Sequence, residues 1–311
     1  MQKSLNAQAA ISMVSAMISM NVDLNGHATR VYKRGEDGPT CLFLHGFPEH
    51  GGAWGDIFAR LDGFRCLAPD QRGYGISYKP EAVKDYSGGK LARDVIALID
   101  LLGLEKVHLI GHDWGGPVAY AVSFMQDPRL ASLTIINGVH PAPMQRAIAT
   151  GGEQCAASQY MNWLRKDGSE EILAANNFEK LASFFAKNMD MSWMTPEVLE
   201  TYRAAWQDVD TVRCMVNWYR ASPIYVGEPG TPAPPDKLLP LPEDKLQITV
   251  PHQLIWGMGD MALLPVSTEG LEAFCQAGLT RHEIADADHW VCHQKPDEVA
   301  GLIREFVLSH D

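Results

Sequence analysis

The run Gly111-His112-Asp113-Trp114-Gly115-Gly116 constrains this chain more than any other stretch. An apolar run, Lys106-Val107-His108-Leu109-Ile110, comes before it, and a small-residue segment, Pro117-Val118-Ala119-Tyr120-Ala121, comes after. That order reads as strand, sharp turn and helix. It is the shape of an elbow that presents a nucleophile, with Asp113 where such turns carry serine. Gly111 and Gly115 let strand and helix approach closely, which pushes the central side chain into the open. A carboxylate there changes the chemistry: serine forms acyl-enzymes, whereas a carboxylate attacks saturated carbon and forms an alkyl ester.

Apolar runs recur on either side of this elbow. Residues 21–34 alternate around Asn25-Gly26, a hairpin signal. Residues 41–45 form a short apolar strand that ends in a glycine loop, and residues 64–68 form another, stopped by Pro69. Residues 87–102 carry helical spacing through Leu91, Val95, Leu98, Ile99 and Leu102, and end at Gly103. Further buried strands are expected at 107–110 and 133–136. Strands alternating with helices imply an α/β fold, a mostly parallel sheet covered on both faces. The alternation stops near His140. Residues 141–223 read as helical, most clearly at 158–165, 181–188 and 196–220, and a Pro-rich linker follows. Strand signals return at 250–256 and 282–285, and 297–308 reads as a closing helix. The expected organisation is one core, 1–140 and 241–311, interrupted by a helical insertion over 141–240.

Bulk properties exclude several classes. The net charge of −12 argues against nucleic acid and anionic membrane surfaces as partners. Six scattered cysteines form no C-x-x-C pair and read as reduced residues in a cytoplasmic protein, against disulfide or zinc. Residues 9–20 are moderately apolar but interrupted by Ser12, Ser15 and Ser19. They read as an amphipathic helix ahead of the first strand in preference to a signal peptide. No run approaches the ~18 uninterrupted apolar residues of a membrane span. Monomer and homodimer are both compatible with the sequence.

Three further elements join Asp113. Asp260 follows the strand that ends at Trp256-Gly257, His289 lies in Asp286-Ala287-Asp288-His289-Trp290 just after a strand, and His45-Gly46-Phe47-Pro48-Glu49 follows an early strand. All sit past the carboxyl ends of expected strands, where a parallel sheet binds ligands. The order nucleophile, acid, histidine is that of the α/β-hydrolases. On these motifs the chain resembles, over nearly its whole length, the α/β-hydrolase-fold epoxide hydrolases. His45-Gly46-Phe47-Pro48-Glu49 matches their HGFPE, residues 111–116 their GHDWGG, and Asp70-Gln71-Arg72-Gly73-Tyr74-Gly75 is similar to their D-x-R-G-Y-G.

The resemblance implies an α/β-hydrolase fold with the insertion as a helical cap. It implies that Tyr160 and Tyr219 hold the epoxide oxygen while Asp113 attacks a ring carbon. His289, oriented by Asp260, then activates water against the ester, with the backbone N–H groups of Phe47 and Trp114 as the oxyanion hole. Glu49 and His45 are candidates for positioning that water. The partners are a small apolar epoxide and water, with no metal or organic cofactor required. Asp286 and Asp288 are rivals to Asp260 but lie too near His289 in sequence, and Asn137, where some relatives carry the acid, cannot be a charged partner.

Three other functions compete. A haloalkane dehalogenase shares the Asp nucleophile, and Trp114 would serve its halide; the tyrosine pair and Phe47-Pro48 weigh against it. A fluoroacetate-type dehalogenase needs arginines after the Asp, where this chain has Trp114 and Pro117. A non-catalytic binding protein does not need Asp113, His289 and Asp260 together.

Overall fold

The computed structural model describes residues 17–185, 189–240 and 242–311. The sheet has eight strands: β1 (Ile18–Leu24), β2 (His27–Arg34), β3 (Thr40–Leu44), β4 (Arg65–Pro69), β5 (Val107–His112), β6 (Leu130–Ile136), β7 (His252–Gly257) and β8 (Leu279–Ile284). Their spatial order is β1-β2-β4-β3-β5-β6-β7-β8. β1–β2 and β2–β4 are antiparallel, and every other pairing is parallel.

The sequence explains this arrangement locally. The β1–β2 turn uses Asn25 and Gly26, both at positive φ (56° and 83°), the pair a tight hairpin turn demands. β5 is buried at all six positions, as expected for a central strand covered on both faces. Alternate side chains enter two apolar layers: Leu42, Leu44, Leu109 and Ile135 lie on one side, and Cys41, Phe43, Ile110 and Ile136 on the other.

Helices α1 (Gly88–Leu101) and α2 (Gly115–Ser123) cover the first side, and α9 (Pro296–Leu308) packs on the second. Between β6 and β7 the chain runs through α3 (Pro141–Ala149), α4 (Glu153–Ala157), α5 (Gln159–Leu164), α6 (Ser169–Phe185), α7 (Pro196–Trp206) and α8 (Val209–Ala221).

Three expectations need correction. The helix expected over 9–20 falls partly outside the described residues, and Ile18 to Met20 belong to β1. β-Pairing with β2 overrides the weak helical pattern there. The single helix expected over 196–220 is two: Gln207 turns at φ 58°, and the Asp208 carboxylate accepts the Thr211 N–H (2.8 Å) to cap a new helix. In α6 the helical path breaks at Asn176, Asn177 and Phe178, all at positive φ (51°, 54°, 61°). The helix expected over 181–188 is therefore the second half of α6, and its last residues lie outside the described ones. Among the described residues no helix is long and apolar enough to cross a membrane. All six cysteines are free thiols.

Candidate active site

The elbow forms as its glycines require. Asp113 sits between β5 and α2 at φ 49°, a left-handed conformation uncommon for any residue but glycine. A side chain at Gly115 would begin 2.0 Å from the Leu44 carbonyl oxygen, so only glycine lets α2 pass this close to β3. The aspartate is thereby lifted to the carboxyl edge of the sheet.

Its two oxygens face different groups. Oδ1 accepts the Phe47 N–H at 2.6 Å, and Oδ2 lies 3.5 Å from His289 Nε2. The other ring nitrogen, His289 Nδ1, lies 2.7 Å from Asp260 Oδ2. Asp260 is saturated with donors: Oδ1 accepts the N–H groups of Ala262 (2.8 Å) and Leu263 (2.9 Å), and Oδ2 also accepts Asn137 Nδ2 (2.8 Å). Asn137 comes from the loop after β6, so the position that cannot supply the charge orients the residue that does. The rivals lie elsewhere: Asp286 pairs with Lys295, and Asp288 accepts backbone N–H groups.

The electrostatics follow from this packing. Burial works to raise the Asp260 pKa, but the adjacent His289 and four hydrogen bonds outweigh it and hold the carboxyl below its ordinary value. Burial works to lower the His289 pKa, but Asp260 and Asp113 on either side push it well above 6.5.

A cavity of about 750 Å³ opens above Asp113 and His289. Tyr160 from α5 and Tyr219 from α8 line it, with ring centroids 6.0 Å apart. Phe47, Trp163, Phe184, Met189, Met261 and Trp290 supply apolar wall, and Lys180 and Ser183 stand at the exposed end. Burial, first of all, pushes both phenols up, with Asp113 adding to it in each case, so both stay protonated donors. Trp114 begins the turn into α2 and sets its ring edge-on to Tyr219, with centroids 5.1 Å apart.

Glu49 and His45, considered for holding water, do not line the cavity. Glu49 is buried beneath it, with Oε2 3.0 Å from His112 Nδ1 and Oε1 2.7 Å from His293 Nε2, and it accepts the Tyr202 hydroxyl at 2.8 Å. His45 is wholly buried: Nε2 accepts the Gln71 N–H at 3.1 Å, and Nδ1 faces the Gly46 carbonyl. Burial lowers its pKa to about 4, so it is neutral at pH 7. Trp163 lines the cavity, while Trp54 and Trp218 are buried in the core.

Sequence reasoning missed several partners. His112 Nε2 lies 2.8 Å from the His289 carbonyl oxygen, pinning the loop that carries the histidine. Asn137, Tyr202 and His293 were missed as well. The signal for His112 was present: it stands beside Asp113 at the end of a strand where every side chain is buried, and a buried histidine must find partners.

Comparison with known proteins bears on the fold and the family. The family model described as alpha/beta hydrolase fold matches residues 39–296, and the chain belongs to that family. It is 34% identical over 292 residues to the AB hydrolase superfamily protein YfhM of Bacillus subtilis (strain 168), covering 93% of this chain and 97% of that one. It is 29% identical over 283 residues to Epoxide hydrolase 1 of Caenorhabditis elegans, covering 88% of this chain and 66% of the worm protein. Among solved structures, epoxide hydrolases from metagenomes of hot environments superpose with a TM-score of 0.84 at 35% identity, covering 93% and 98%. The Bacillus megaterium epoxide hydrolase in complex with an inhibitor superposes with a TM-score of 0.82 at 27% identity, covering 93% and 99%. The worm relative and these structural neighbours are epoxide hydrolases, hydrolases acting on ether bonds.

Proposed function

We propose that the protein converts an apolar epoxide to a vicinal diol through an alkyl ester on Asp113, with residues 141–240 acting as a cap over the site. The observation that carries this reading is the division of labour at the Asp113 carboxylate. Oδ1 is tied to the Phe47 N–H, which leaves Oδ2, on the His289 side, to attack.

In the first step Oδ2 bonds to a ring carbon and that carbon's bond to the epoxide oxygen breaks. Tyr160 and Tyr219 donate to the oxygen as its charge grows, an interaction strongest in the transition state. The resulting ester removes the Asp113 charge that helped hold the proton on His289. With that charge gone the ring gives up its proton more readily, so it is neutral and able to accept a proton when a base is needed. Water gives it a proton and attacks the ester carbonyl carbon. Charge developing on Oδ1 meets the N–H groups of Phe47 and Trp114. The tetrahedral intermediate collapses by breaking the bond from the carboxyl carbon to Oδ2. The departing alkoxide, which carries Oδ2, takes the proton from His289. The proton left on the Asp113 carboxyl passes through solvent to the oxygen opened in the first step, and the diol leaves. Asp260 holds the imidazole in place throughout and stabilises its cation.

Epibromohydrin carries an epoxide and a bromide in one molecule and tests the reading. Diol formed without matching early bromide release, and abolished by Asp113→Asn, supports epoxide hydrolysis. Bromide release with the ring intact makes the protein a dehalogenase instead.

A further inference from the structure

A short cap segment, residues 189–193, is fastened to the loop that carries His289 by contacts the reaction itself does not use. Asp288 Oδ2 accepts the Asp190 N–H at 2.7 Å, and Gln294 Nε2 donates to the Asp190 carbonyl at 3.0 Å. Both polar groups of one cap residue's backbone are therefore held by side chains of the core, much as a strand partner would hold them. The clamp is itself braced. Asp288 Oδ1 accepts the Trp290 N–H at 2.9 Å, and the Asp288 N–H donates to Gln294 Oε1 at 2.9 Å. At the far end of the segment Trp193 stacks flat on His293, with centroids 3.9 Å apart and planes 10° from parallel. Met189, next to the clamped residue, lines the cavity.

We propose that residues 189–193 are a strap, clamped by Asp288 and Gln294, that fixes the Met189 wall of the cavity and makes the protein favour epoxides with a bulky apolar substituent over small ones. The inference rests on the epoxide-hydrolysis reading for its substrate and on the clamp geometry for everything else. His289 is anchored separately, by Asp260 at its ring and by His112 at its carbonyl. Releasing the strap therefore leaves the reacting groups in place. It loosens a wall that only a large substituent touches. Asp288 and Gln294 are positioning residues acting through Met189.

The test compares wild type with Gln294→Met, which keeps the side chain's length and removes its donor and acceptor. The substrates are 1,2-epoxypropane and phenyl glycidyl ether. The variant is expected to raise KM for the aryl ether about five-fold, the scale of a lost apolar contact, and to leave kcat for epoxypropane within about two-fold. Asp288→Asn, with one carboxylate oxygen replaced by an amide, is expected to shift the same ratio in the same direction if Gln294→Met does not fold. Hydrogen exchange at the Asp190 amide reads the clamp without any substrate. Protection in the wild type that falls about ten-fold or more in either variant supports the strap. Unchanged exchange, or an unchanged ratio of KM values between the two substrates, overturns it. If the wild type turns over neither epoxide, the activity reading and the selectivity claim both fail, while the exchange result still decides whether the clamp exists.

Discussion

Gly115→Ala tests how the fold builds the site. An alanine Cβ at this position would lie 2.0 Å from the Leu44 oxygen, 2.6 Å from its carbonyl carbon and 2.9 Å from the His45 oxygen. All three are backbone atoms at the end of β3, a central strand, so no side chain can swing aside. Non-bonded heavy atoms settle near ~3.5 Å, so strand or helix must give by about 1 Å or more. Overpacking of this kind costs about 1–3 kcal/mol. The displacement also reaches the chemistry, because β3 leads directly into Phe47, whose N–H holds Asp113 Oδ1. A misplacement of about 1 Å at reacting groups costs about a hundred-fold in rate. Gly301→Ala in α9 is the control: its Cβ would meet nothing within 4 Å, and it should gain up to about 1 kcal/mol by helix propensity with unchanged turnover. Urea unfolding midpoints and initial rates of styrene oxide hydrolysis read both effects. A Gly115→Ala protein with wild-type stability and full activity would mean that the close approach of α2 to β3 does not build the site.

If Tyr160 and Tyr219 hold the epoxide oxygen as proposed, Tyr160→Phe and Tyr219→Phe should each lower the rate of ester formation about a hundred-fold, measured in a single turnover by stopped flow, by removing one donor to the developing alkoxide. Asp260 and Asp113 raise the His289 pKa in the free enzyme, the ester relieves the Asp113 part of that, and once the ring is protonated at low pH it cannot serve as base. The rate of ester hydrolysis should therefore fall as pH drops, along a limb whose position a pre-steady-state pH profile reports. For stability, the raised His289 value contributes fully below pH 6.5 and is lost as pH rises through the folded pKa. Buried His45, His50, His140 and His252, each lowered to about 4 by burial, contribute fully above pH 6.5 and lose that contribution as pH falls toward 4. Asp70, raised to about 6 by burial, works the other way and alone. Thermal unfolding should show a net loss of stability between pH 6.5 and 4.

The features legible from sequence were those with a local cause. Glycines around Asp113 dictate the elbow, Asn25-Gly26 dictates the hairpin, and buried apolar runs mark the central parallel strands. Asp260 and His289 were legible because both stand just past strand ends, where the sheet brings them together. What escaped was set by tertiary contact. β1 begins at Ile18 because β2 offers it a partner, and nothing local says so. The break at Gln207 depends on a helix cap that periodicity passes over. Glu49 was a candidate for positioning water only through the family resemblance, and His112, His293 and Tyr202, distant in sequence, close around it.

An Asp113 that bonds covalently to substrate, as proposed, gives one of its own oxygens to the product. A single turnover of styrene oxide by excess enzyme in water enriched in heavy oxygen tests it directly, with masses taken of the diol and of the peptide carrying Asp113. An unlabelled first-turnover diol and label in the Asp113 peptide are expected. A labelled diol with an unlabelled peptide would mean that water attacks the epoxide directly, and would contradict the covalent route.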